Sequence, residues 1–170
     1  MTDNRNINTT NKKQAGDAGQ RRSQYAELLT SLTSLIEDET DLTAILANTA
    51  AALHQTFAPR FFWTGFYRVC GDELLLGPFQ GPVACTHIAF GRGVCGAAWQ
   101  RGATIVVDDV NLFPGHIACS SLSQSEIVVP VKSHGKVAAV IDIDSRDIAA
   151  FDDNDRDGLE QVAKLLSSKF

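Results

Sequence analysis

Apolar residues fall at helical spacing in two early runs. Tyr25, Leu28, Leu29, Leu32, Leu35 and Ile36 make one stripe, and Leu42, Ile45, Leu46, Ala50, Leu53 and Phe57 make a second. Thr40 or Asp41 is placed to cap the second helix, and Pro59 closes it. Residues 1–19 are mostly Asn, Thr, Lys, Gln and Gly. So few apolar side chains cannot offset the entropy of ordering, so this stretch is expected to be a disordered tail, with the folded domain over 20–170.

The period then changes from 3.6 to 2. Arg60 to Val69 is aromatic and β-branched, and reads as a strand with both faces occupied. A turn at Gly71-Asp72-Glu73 leads to Leu74–Leu76 as its hairpin partner, broken by Gly77-Pro78. Val83 to Ala89 reads as a third strand, with Cys85 and His87 on one face. Gly91 to Gly96 is a glycine-rich turn opening a short helix through Trp99, and Thr104–Val107 is a fourth strand. Asp108 to Glu126 is a long loop. Ile127–Lys132 and Lys136–Asp144 form a hairpin around Ser133-His134-Gly135. A last helix, capped by Asp152 or Asp153, buries Leu159, Val162, Ala163 and Leu166. This order predicts an α+β domain: a mostly antiparallel sheet of about six strands flanked by helices.

Charge and composition narrow the partners. The chain has 170 residues, a formal net charge of −5 and a pI near 5.3. That balance disfavours nucleic acid and anionic membranes. No apolar run reaches the roughly 20 residues of a membrane span, and residues 1–6 lack the apolar core of a secretory signal. The expected compartment is the cytoplasm, where the four cysteines would be catalytic, metal-binding or inert rather than structural disulfides.

The candidate chemistry centres on the stretch Phe113–Ile127, polar and turn-forming, with His116, Cys119 and Glu126. In the last strand Ala138, Val140, Asp142 and Asp144 share one face, while Val137, Ala139, Ile141 and Ile143 share the other. Two acids two residues apart, with Glu126 opening the neighbouring strand, would raise each other's pKa unless a cation lies between them. They could seat an ammonium group or donate a proton; they could also simply leave the sheet into solvent. Among Cys85, Cys95 and Cys119, two could act as attacking and resolving thiols. The glycine-rich helix start could lower the pKa of Cys95, and His116 that of Cys119. Buried cysteine also serves simply as a small apolar residue. Cys85-x-His87 with His116-x-x-Cys119 offers a zinc ligand set, but no close Cys–Cys pair. Gly91–Gly96 lacks the trailing Gly-Lys-Ser/Thr of a phosphate loop. Trp63 and Tyr67 share a strand face, as core aromatics or as walls of an apolar slot.

Taken together, Gly77-Pro78-Phe79-Gln80-Gly81, Ala84-Cys85, Gly91–Gly96, Phe113–Cys119, Ser125–Val128 and Ile141–Ser145 resemble the free methionine-(R)-sulfoxide reductases, small enzymes built on a GAF domain. The resemblance implies reduction of free L-methionine (R)-sulfoxide. It implies Cys119 as nucleophile, Cys85 as resolving thiol and Cys95 as a thiol relay or alternative resolving thiol. Glu126, Asp142 and Asp144 would bind the substrate's amino end and help polarise the sulfoxide, with Trp63 and Tyr67 around its methyl group. It further implies no bound cofactor or metal and thioredoxin as external reductant. GAF domains often form dimers, so a homodimer is one assembly the resemblance allows. The alternative is a non-catalytic GAF sensor for a small ligand, which would have no need of three separated cysteines.

Overall fold

The computed structural model describes residues 5–117 and 119–170, with side chains from residue 19 onward. The elements in order are α1 (Arg5–Ile36), α2 (Leu42–Phe57), β1 (Trp63–Cys70), β2 (Glu73–Gln80), β3 (His87–Ala89), α3 (Gly93–Arg101), β4 (Ile105–Val107), β5 (Ser125–Ser133), β6 (Lys136–Ser145) and α4 (Asp153–Leu166). The strands make one six-stranded sheet in the order β3-β2-β1-β6-β5-β4. Every neighbouring pair is antiparallel. Of the expected tail, residues 1–4 lie outside the described residues, and α1 takes in the backbone from Arg5.

The alternation in β6 decides what each face of the sheet does. Ala139, Ile141 and Ile143 point to one side and are fully buried with Phe66, Ile127, Val129 and Val131. The apolar stripes of α1, α2 and α4 cover them, completing the larger core. Asp41 caps α2 by accepting from the Ala44 N–H at 2.8 Å. Asp152 and Asp155 form a reciprocal capping box at the start of α4. The opposite face carries Trp63, Tyr67, Val128 and Val140, and among the described residues it is covered by α3 and loops. That thinner cover leaves room for a pocket.

Two strand expectations need correction. β2 does not stop at Leu76 but continues to Gln80. Its register with β1 shifts between Gly65↔Phe79 and Tyr67↔Leu76, so Gly77 and Pro78 together oppose Phe66. A bulge is where a strand tolerates proline, since the missing N–H costs no ladder bond there. β3 is only three residues long, and the chain before it, including Cys85, is irregular. Cys85 and His87 therefore do not share a strand face.

One buried ionic group ties the helices to the sheet. Asp155 is fully buried and takes a two-pronged contact from Arg60 at 2.7 and 2.8 Å. Tyr25 donates to it at 3.0 Å and Arg21 at 3.3 Å. The carboxylate thus joins α1, the segment before β1 and α4. Removing one member of such a pair strands a charge away from water. Asp155→Ala is expected to lower stability by roughly 3 kcal/mol, read from the urea unfolding midpoint; a loss below about 1 kcal/mol would show the network to be dispensable.

Candidate active site

The pocket floor is built by strand register. Trp63 pairs with Asp144, Gly65 with Asp142 and Tyr67 with Val140 across β1 and β6. Glu126 pairs with Asp144, and Val128 with Asp142, across β5 and β6. Directly paired residues project from the same face, so Glu126, Asp142, Asp144, Trp63 and Tyr67 come together there. All five line one pocket enclosing about 530 Å³ of space unfilled by atoms, counting its mouth. Glu126 is 6% exposed and Asp142 7%, while Asp144 is half-buried.

The aromatic residues do two things at once. The Trp63 indole lies stacked against Phe79, with ring centres 5.3 Å apart, and against Tyr67 at 6.0 Å. A side chain at Gly65 would meet the indole and the Phe79 Cβ at 2.5 Å, so glycine there lets the indole lie across the strand. The Trp63 Nε1–H donates to the Pro82 carbonyl at 3.0 Å, and the Tyr67 hydroxyl to the Cys85 carbonyl at 2.9 Å. These bonds satisfy the polar ends of two buried aromatic side chains. They also hold the irregular segment that carries Cys85 over the pocket.

Cys85 and Cys119 are joined as a disulfide, with Cα atoms 5.5 Å apart and a separation of 34 positions in sequence. Cys119 lines the pocket together with His116 and Ile117. Cys95 stands apart from the pair as a free, buried thiol in the first turn of α3. Its Sγ is 3.9 Å from Glu126 Oε1, within reach of a weak S–H donor. Contrary to the expectation from sequence, the helix start does not lower its pKa; burial and the neighbouring acids push it well up. Cys70 is free and exposed, far from this chemistry in role. The zinc set is not assembled either: His87 is exposed and bonded to Glu73 at 2.9 Å, and the two cysteines it would join are already paired.

The electrostatics follow from burial without a cation. Burial is the largest cause raising the pKa of all three carboxyl groups; Asp142 adds repulsion on Glu126 and Asp144. Asp142 is pushed up to about 6 from 3.8, while a hydrogen bond from Ser123 partly offsets the rise at Asp144. Asp142 Oδ1 has no hydrogen-bond partner among the described residues. Burial also lowers the pKa of His116, whose Nδ1 sits 3.9 Å from Glu126 Oε2. A neutral imidazole does not supply the missing positive charge. Such a floor can do two things: give up a proton to a polarised oxygen, or ionise when a cation arrives.

Every residue expected at the site from sequence lies here: Cys85 bonded to Cys119, and Cys95 against the acids rather than against a thiol. Sequence reasoning did not single out Arg92, Ser123, Val83 or Ile88, which also line the pocket. Arg92 was legible only as part of the Gly91–Gly96 motif.

A six-stranded antiparallel sheet with helices on one face and a small-molecule pocket on the other defines a GAF domain, and the GAF family model matches residues 41–169. The chain is 50% identical over 88% of its length to GAF domain-containing protein A of Dictyostelium discoideum, covering 94% of that relative. It is 44% identical to the free methionine-R-sulfoxide reductase of Escherichia coli, over 84% of this chain and 86% of that one. The Neisseria meningitidis free methionine-R-sulfoxide reductase, solved in complex with its substrate, superimposes with a TM-score of 0.85 at 54% identity, covering 88% of this chain and 89% of that one. The chain belongs to the GAF-domain family and, within it, to the free methionine-R-sulfoxide reductases. Among the described residues no helix is long and apolar enough to cross a membrane.

The raised carboxyl pKa of Asp142 has a consequence for stability. Its folded-state pKa of about 6 exceeds its ordinary 3.8, so the folded state holds the proton more tightly. This contribution is fully present below about pH 4 and is lost as pH rises through about 6. Relative to wild type, Asp142→Asn is therefore expected to gain stability between those limits. Urea melts of both proteins at intervals across that window read the difference. A pH-independent difference would contradict the raised pKa.

Proposed function

We propose that Cys119 is the nucleophile that reduces free L-methionine (R)-sulfoxide in this chain, with Cys85 as its resolving partner. The reading is carried by one observation: the Cys85–Cys119 disulfide sits on a pocket whose floor is three clustered acids, two of them buried and one half-buried. The Cys119 thiolate attacks the sulfoxide sulfur while a protonated carboxyl among Glu126, Asp142 and Asp144 gives a proton to the oxygen. The oxygen passes to Cys119 as a sulfenic acid and methionine leaves. The Cys85 thiol then attacks the Cys119 sulfur, water is released, and the disulfide forms. An external dithiol, thioredoxin in this proposal, supplies the two electrons that reopen it.

The carboxyl groups suit both tasks. Sulfoxide oxygen is a poor leaving group until protonated, and a carboxyl kept neutral by crowding can protonate it near neutral pH. The ammonium of a free amino acid is the cation that the acids lack. A methionine inside a protein brings no such cation and would leave the acids unpaired. Trp63 and Tyr67 would wall the slot for the methyl group. Cys95, buried against Glu126, suits a part in tuning the acids more than one in the relay. The chemistry needs only thiols and carboxyls, with no bound cofactor. Recycling by thioredoxin suits a reducing compartment, the cytoplasm, and the working domain would be residues 20–170, as a single copy or a homodimer. A sensor reading gives the disulfide on the pocket no purpose.

With thioredoxin as reductant, the protein is expected to turn over the R but not the S diastereomer of the free sulfoxide. Cys119→Ser should abolish that turnover. Cys85→Ser should keep a single stoichiometric burst of methionine but lose most of the steady-state rate. Steady-state activity close to wild type in Cys119→Ser would remove the nucleophile from the proposal. Equal rates on both diastereomers would remove the substrate.

A further inference from the structure

The pocket floor brings together three kinds of donor atom, and the reaction above gives a task only to the oxygens. Cys95 Sγ and carboxylate oxygens of Glu126 and Asp142 all lie within 4.8 Å of one another. They arrive from α3, β5 and β6. All three residues are more than nine-tenths buried, at 4%, 6% and 7% exposure. His116 comes from the loop above and places its Nδ1 3.9 Å from Glu126 Oε2. Cys95 Sγ stands 3.9 Å from the other oxygen, Oε1. Among the described residues, Asp142 Oδ1 and His116 Nδ1 are buried without a hydrogen-bond partner. Two such atoms at one spot call for an explanation, and an ion that both can ligate supplies one.

The donor set selects the ion. Calcium and magnesium ask for six or more oxygens and have little use for sulfur. A thiolate, an imidazole and two carboxylates instead suit a tetrahedral zinc ion. Zinc holds sulfur at about 2.3 Å and nitrogen or oxygen at about 2.0–2.2 Å, which sets neighbouring donors roughly 3.5 Å apart. The donors here need to close by only about an ångström to reach that spacing. An ammonium ion would satisfy the carboxylates but makes little use of the thiol. None of the four residues belongs to the Cys85–Cys119 pair, so the set is complete with the disulfide closed.

We propose that Cys95, Glu126, Asp142 and His116 form a zinc site on the floor of the pocket. Binding displaces the Cys95 thiol proton and any protons the carboxyls hold, and releases them to solvent. Zinc and the substrate's ammonium contend for the same carboxylates, so zinc blocks the pocket. That competition rests on the function proposed above; the site itself does not.

Cobalt(II) serves as a visible stand-in for zinc, because a thiolate bound to it absorbs by charge transfer. The oxidised protein is used, so that neither Cys85 nor Cys119 can bind the ion. One equivalent of cobalt is expected to raise the charge-transfer band, one equivalent of zinc to remove it, and excess magnesium to leave it unchanged. Cys95→Ser should lose the band. His116→Ala, a change confined to a loop, should weaken cobalt affinity by at least about tenfold. Cys70→Ser removes the other free thiol and should change nothing. Absence of the band in wild type, or its survival in Cys95→Ser, would overturn the site. Reduced Cys119→Ser protein loaded with one equivalent of cobalt tests the competition separately. Free L-methionine (R)-sulfoxide should bleach the band at concentrations where glycine, which chelates cobalt through the same amino and carboxylate groups, does not. Equal bleaching by both would overturn the competition with substrate, whatever the oxidised protein binds.

Discussion

Three carboxyl groups sit side by side on one sheet face, with no Lys or Arg paired to them among the described residues, and much of the molecule is arranged around holding them there. Asp142 and Asp144 share that face because they are two residues apart in β6, and Glu126 joins them because it pairs directly with Asp144. Water would relieve their repulsion, but α3 and the loops above cover much of that face. The strain is relieved by keeping protons: burial raises the pKa of each acid. The result is a surface poised to give up a proton and to accept a cation. Asp155 is as deeply buried but takes two contacts from Arg60. The contrast separates a carboxylate that holds the fold from carboxyls that wait for a ligand.

The remaining parts serve this floor. The larger core, between the sheet and α1, α2 and α4, fixes the strands so that register alone can place the acids. Trp63 and Tyr67 close the apolar side and use their polar ends to hold the segment carrying Cys85. That segment and the loop carrying Cys119 arrive from opposite sides, which is why a pair 34 residues apart in sequence can meet above the pocket. Cys95 reaches Glu126 from α3 and so links the helix start to the acids.

Much of this was legible before any coordinates. The two faces of β6 follow from strict alternation, and a hairpin turn at Ser133-His134-Gly135 brings β5 and Glu126 alongside. Other features were not legible because distant packing decides them. A proline after Leu76 reads as a strand break unless the partner strand is known to bulge there. Cys85-x-His87 reads as a strand face, yet β3 begins only at His87. The helix start around Cys95 suggests a lowered pKa; only the fold reveals that its neighbours are two acids from other strands. Arg92 carries no periodic signal at all, and its place at the pocket mouth depends on the turn that seats α3.

The central claim is that the buried floor holds protons until a cation arrives. Calorimetric titration of reduced Cys119→Ser protein with free L-methionine (R)-sulfoxide near pH 6.5, in buffers of different ionisation enthalpy, counts the protons exchanged on binding. The account predicts net proton release, as the incoming ammonium lets a carboxyl ionise. Tight binding with no proton released, or with protons taken up, would contradict it.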